Sequence, residues 1–155
     1  MTSKFPSLTN EVREKLKLIY EKVGSEVRLS KDKFSFKADA KIELNDEIIF
    51  IEVEEAQTHP DTNVSKYWMY LQENPDKKIK LIQIFGRAFI ETVNNYASRK
   101  KLSEFIAKKI KGSFSENFEY VPINLRDFNY SKEDYKNNIG EIVNKVIELI
   151  REHIK

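Results

Sequence analysis

The sequence predicts an α/β (α+β) domain, a central mixed sheet flanked by helices in three layers, and three patterns carry that prediction. Apolar residues recur at helical spacing near both ends of the chain, alternate at period two from Phe34 onward, and form short runs at residues 48–51 and 81–85, the second interrupted by Gln83 alone. The elements follow one another as αβββαβ and then αβα. At 155 residues the chain has the length of a single domain, 1–155.

Leu8, Val12, Leu16, Ile19 and Val23 are spaced by three and four, the stripe of an amphipathic helix ending at Gly24. Strand-like sequence follows directly. Phe34, Phe36, Ala38, Ala40, Ile42 and Leu44 then share one face, with Ser35, Lys37, Asp39, Lys41 and Glu43 on the other. Asn45-Asp46 suits a tight turn into the run from Glu47 to Glu54, which is apolar on both faces until its tip and so belongs in the middle of a sheet. Asp61 or Thr62 can cap a helix with Val64, Tyr67, Trp68 and Leu71 that stops near Asn74-Pro75. Lys80–Phe85 reads as a buried strand, Glu91–Lys111 as a helix ending before Gly112, Phe118–Asn124 as a short strand, and Lys132–Ile154 as the closing helix.

Composition narrows the chemistry. No cysteine means no disulfide, thiolate metal site or cysteine nucleophile, so a metal would sit on oxygen or imidazole. The four glycines fall outside any GxxxxGK or GxGxxG phosphate loop, and His59 and His153 have no nucleophile-elbow serine to join. The charge of +2, from 27 basic and 25 acidic residues, is balanced, so a polyanionic partner requires charges sorted onto faces. No run reaches the roughly 18 apolar residues of a membrane span, and the N-terminus lacks a signal-peptide pattern. A cytoplasmic protein without membrane association is expected.

A two-residue turn at Asn45-Asp46 places Asp39 opposite Glu52 and Lys37 opposite Glu54. Facing carboxylates with Cβ atoms about 4.5–5.5 Å apart repel unless positive charge lies between them. A hard divalent cation supplies it: Mg²⁺, or Mn²⁺, takes one or two carboxylates and leaves positions for water and phosphate oxygens. Asp39 and Glu52 are the expected ligands, the Val53 carbonyl a further one, and Glu54 the group that orients or deprotonates water.

At these residues the sequence resembles the PD-(D/E)XK nuclease superfamily, the restriction-endonuclease-like fold. That family's core is helix, three meandering strands, helix and strand, with Asp in the second strand and (D/E)XK in the third. Ala38-Asp39 stands in place of Pro-Asp and Glu52-Val53-Glu54 in place of (D/E)XK, within a resemblance covering Leu8 to Phe85. It implies a metal-dependent endonuclease acting on DNA, with RNA left open, and a homodimer if both strands are cut. Glu54 departs from the motif lysine, whose ammonium would stabilise charge in the transition state; Lys37 and Lys66 are the candidates to replace it. The resemblance also implies a glutamate from the first helix, for which Glu11 fits best. The same fold without cleavage would be a nucleic-acid- or protein-binding module.

For nucleic-acid contact the candidates are Gln57 in the loop after the carboxylates, Lys66, Tyr70 as an exposed stacking residue, and Arg99 with Lys100 in a basic run. His59 reads as part of a helix-entry loop.

Overall fold

The computed structural model describes residues 7–28, 35–55, 59–86, 89 and 94–154. The elements are α1 (Leu8–Ile19), β1 (Val23–Arg28), β2 (Ser35–Glu43), β3 (Ile48–Glu54), α2 (Pro60–Glu73), β4 (Ile79–Phe85), α3 (Asn94–Ser113), β5 (Phe118–Asn124), a 3₁₀ turn (Leu125–Phe128), α4 (Lys132–Asn137) and α5 (Ile139–Glu152). The strands form one sheet in the order β1-β2-β3-β4-β5. β1, β2 and β3 are antiparallel, and β4 and β5 run parallel to β3, so the sheet is mixed and β3 is its middle strand. This is the predicted α+β three-layer architecture.

Alternate residues of the strands feed two apolar layers. Ile42, Ile49, Ile51, Val53, Ile82 and Ile84 pack with Leu8, Val12 and Leu16 of α1 and with Ile142, Val146 and Ile150 of α5. Phe50, Ile79, Leu81 and Phe118 pack with Val64, Tyr67, Tyr70 and Leu71 of α2 and with Ala107 and Ile110 of α3. Each such side chain contributes roughly 1.5–3 kcal/mol through burial.

Several boundaries differ from expectation. α1 stops at Ile19, because Tyr20 adopts extended backbone, and Val23 opens β1. Val23 still packs on the cluster that holds Leu16, so a strand residue extends the helical spacing. α2 begins with Pro60 behind an N-cap at His59, which leaves Asp61 and Thr62 inside the first turn rather than capping it. α3 runs past Gly112 to Ser113, and its predicted start at Glu91 lies outside the described residues. The closing helix is two helices: Ser131 and Asp134 form a capping box on α4, and Asn138, whose N–H bonds to the Asp134 carbonyl at 2.7 Å, separates α4 from α5.

Tyr70 corrects the reading of α2. It is 6% exposed and packs edge-on against Phe50, with ring centroids 5.6 Å apart, so it cannot stack on a base. α2 packs against both the sheet and α3, which buries a wider arc of helix than one stripe. Among the described residues no helix is long and apolar enough to cross a membrane.

Candidate active site

The site starts from the hairpin register. The Leu44 N–H bonds to the Glu47 carbonyl at 3.0 Å across Asn45-Asp46, and the pairs that follow are Glu43↔Ile48, Ile42↔Ile49, Lys41↔Phe50 and Ala40↔Ile51. Continued by one step, this register sets Asp39 opposite Glu52. The regular ladder ends there, because β2 bulges against β1: between Lys41↔Gly24 and Lys37↔Glu26, Ala38, Asp39 and Ala40 oppose Ser25 alone. The bulge bends β2 and redirects its side chains. Ala38 consequently packs with the α2 layer while Ala40 packs with the α1 layer. The β2–β3 pairing runs only as far as Ala40↔Ile51, so the expected pairing of Lys37 with Glu54 is not part of the ladder.

Where the ladder stops, the carboxylates take over its hydrogen bonds. Asp39 Oδ2 accepts from the Val53 N–H at 2.6 Å, and Glu52 Oε2 accepts from the Asp39 N–H at 3.3 Å. Asp39 and Glu52 are therefore locked to each other's strands. Val53, expected through its carbonyl, is tied to Asp39 through its N–H.

Glu52 is 2% exposed. Its Oε1 accepts from Lys66 Nζ at 2.9 Å and its Oε2 also accepts from the Tyr67 hydroxyl at 3.2 Å. Lys66 Nζ donates as well to the Lys37 carbonyl at 3.0 Å and lies over the rings of Phe36 and Tyr67, at 5.2 and 5.8 Å from their centroids. Of the two candidate lysines, Lys66 brings its ammonium to the carboxylates; Lys37 meets it with a backbone carbonyl, and its side chain is exposed.

Glu54 is 0% exposed, and Oε1 receives both of its donors, Asn63 Nδ2 at 2.8 Å and Gln83 Nε2 at 3.3 Å. Oε2 is buried with no hydrogen-bond partner among the described residues. Gly86 closes this corner: its N–H bonds to the Glu54 carbonyl at 2.9 Å, and an added Cβ would stand 3.3 Å from that oxygen.

Burial dominates the titration of all three acids. It pushes Glu52 up to about 7, against the attraction of Lys66 and with repulsion from Asp39 adding to it. It pushes Glu54 up to about 7 despite the bonds from Asn63 and Gln83. Asp39 is raised for the same reason, with the Val53 bond, Lys66 and Arg13 opposing.

The first helix contributes differently than expected. Glu11 is exposed, whereas Arg13 donates from Nη1 to the Asp39 carbonyl at 3.3 Å. Glu55, the residue after β3, holds the N-terminus of α1, accepting from the Leu8 N–H at 2.8 Å and the Thr9 hydroxyl at 2.7 Å. Arg99 Nη1 lies 2.6 Å from His59 Nδ1, which joins α3 to the start of α2. Lys100 sits 3.8 Å from Glu104 and over the Phe85 ring. Gln57 lies outside the described residues.

Tyr67, Asn63, Gln83 and Arg13 are site residues that the sequence reading missed. Gln83 had a signal, as the one polar residue in the run Leu81–Phe85. Asn63 and Tyr67 flank Lys66 on the α2 turn that faces the sheet, but a helical wheel without the sheet position gives them no target.

Among the described residues no three His, Asp or Glu side chains converge into a ready-made metal cage. The donor set nevertheless fits a hard cation: all-oxygen ligands, interlocked carboxylates of Asp39 and Glu52, and an unpartnered buried oxygen on Glu54. Compared with protein-family models, curated proteins and solved structures, the chain matches none.

Proposed function

We propose that this domain is a metal-dependent endonuclease that hydrolyses DNA phosphodiester bonds, using Mg²⁺ or Mn²⁺ held by Asp39 and Glu52. The observation that carries the reading is Lys66 Nζ, 2.9 Å from Glu52 Oε1. It supplies from α2 the ammonium that Glu54 removes from the strand motif. A bound divalent cation polarises a phosphoryl oxygen and makes water a nucleophile near neutral pH.

The chain's own residues do the rest. Asp39 and Glu52 are each hydrogen-bonded to backbone of the other's strand, which fixes the two carboxylates relative to one another. Lys66, oriented by the Lys37 carbonyl and by two rings, presents fixed positive charge where negative charge develops on the phosphate. Glu54, raised to about 7, is poised to take a proton from water near neutral pH. Cutting both strands of a duplex would call for two copies of the chain, since each carries one such site.

One observation favours a second reading, a non-catalytic nucleic-acid- or protein-binding module of this fold: Lys66 is already engaged by Glu52 and the Lys37 carbonyl. Incubation of wild type and Glu52→Ala with plasmid, junction and single-stranded DNA in Mg²⁺ or Mn²⁺ separates the two. The nuclease reading expects ion-dependent cleavage that is lost in the variant; binding without cleavage by either protein supports the module.

A further inference from the structure

We propose that Gln83 is a positioning residue for Glu54, with Tyr120 setting its amide, so that Oε1 of Glu54 is occupied and Oε2 is left for the water. This rests on the reading above, in which Glu54 handles the attacking water.

Gln83 is 0% exposed on the α2 side of β4, where Ile79, Leu81 and Phe85 are its same-face neighbours. Its register partners are Glu52 on β3 and Pro122 on β5. Nε2 donates to Glu54 Oε1 at 3.3 Å and to the Pro60 carbonyl at 3.0 Å, while Oε1 accepts from the Tyr120 hydroxyl at 2.6 Å. These contacts agree with only one amide orientation. Turned over, the amide would set its carbonyl oxygen against two acceptors, Glu54 and Pro60.

The asymmetry at Glu54 is what exceeds ordinary core satisfaction. A buried carboxylate is most stable with donors on both oxygens, and an unpartnered buried oxygen is penalised. Here the donors from Gln83 and Asn63 converge on Oε1, and Oε2 has none among the described residues. The donors come from two elements, β4 and α2, and the amide that aims one of them is held from a third, β5. Fixing a group from several rigid elements is how a constellation is preorganised.

The test pairs a spectroscopic readout with kinetics. In metal-free wild type the side-chain amide protons of Gln83 are expected to be protected from exchange by NMR, and Tyr120→Phe to release that protection. In Mn²⁺, Gln83→Met should lower kcat on the order of 10²-fold, the scale of a misplaced reacting group, with KM for DNA unchanged. It should lower kcat no further in a Glu54→Gln background. Tyr120→Phe, which removes a single oxygen, carries the same kinetic test if Gln83→Met fails to fold. Unchanged kcat, or an equal drop in both backgrounds, overturns the positioning role. Wild type that cleaves no DNA overturns the nuclease reading instead; the amide then decides positioning, protection released by Tyr120→Phe supporting it and an unprotected wild-type amide overturning it.

Discussion

The two faces of β3 are made from alternate residues of one strand, yet they are built for different ends. Toward α1 and α5 stand Ile49, Ile51 and Val53, all buried among aliphatic neighbours. Toward α2 and α3 stand Phe50 and then Glu52 and Glu54, just as buried but charged or titrating. Dry packing on the first face stabilises the sheet, whereas the second gives up stability at one end to hold acids out of water. The difference places the candidate chemistry at the C-terminal tip of β3 and on one face only.

Substitutions on the two faces should therefore have opposite effects. Ile51→Ala is expected to lower stability by about 2–5 kcal/mol, the range for emptying a buried aliphatic site, read as a shifted urea midpoint. Glu54→Gln, similar in shape but uncharged, is expected to raise the stability of the metal-free protein at pH 8 while slowing cleavage by about 10²–10⁴-fold, the scale of a lost general base. A stability loss at pH 8 would break the comparison.

The pH dependence of stability follows from the same acids. Glu52 and Glu54 are raised from 4.5 to about 7, so between those values the folded state holds protons that the unfolded state has released. Their contribution is present below pH 4.5 and is lost as the pH rises through about 7. Thermal melts of the metal-free protein should fall over that interval, and a saturating divalent cation should flatten the decline because it favours the ionised acids. A melting temperature that rises from pH 5 to 8 without metal would contradict the assignment.

A smaller effect is expected at Gly86, where an added Cβ would lie 3.3 Å from the Glu54 carbonyl. Gly86→Ala should cost about 1 kcal/mol, as mild overpacking does, and should slow cleavage under conditions where the variant is still fully folded.

Much of this was legible in the sequence because strand periodicity is rigid. The Asn45-Asp46 turn fixed the hairpin register and hence the meeting of Asp39 and Glu52, and the apolar run of residues 48–51 marked β3 as the middle strand. The bulge was not legible. It depends on how β1 registers against β2, and Val23, which opens β1, reads in the sequence as part of the α1 stripe. The facing of Lys37 and Glu54 failed for that reason, since it assumed a ladder that runs on past Asp39. Tyr70 was misplaced because a helical wheel cannot tell that both the sheet and α3 cover α2. Lys66 could be nominated from the helix that follows β3, but its contact with Glu52 needed the packing angle of that helix.

The central claim is that Lys66 supplies the positive charge missing from the strand motif, and single-turnover cleavage by Lys66→Met in Mn²⁺ tests it most directly. The account predicts a rate loss on the order of 10²–10³-fold, as for removal of a preorganised electrostatic group, while Mn²⁺ still raises the melting temperature through Asp39 and Glu52. A variant that cleaves at the wild-type rate would contradict it.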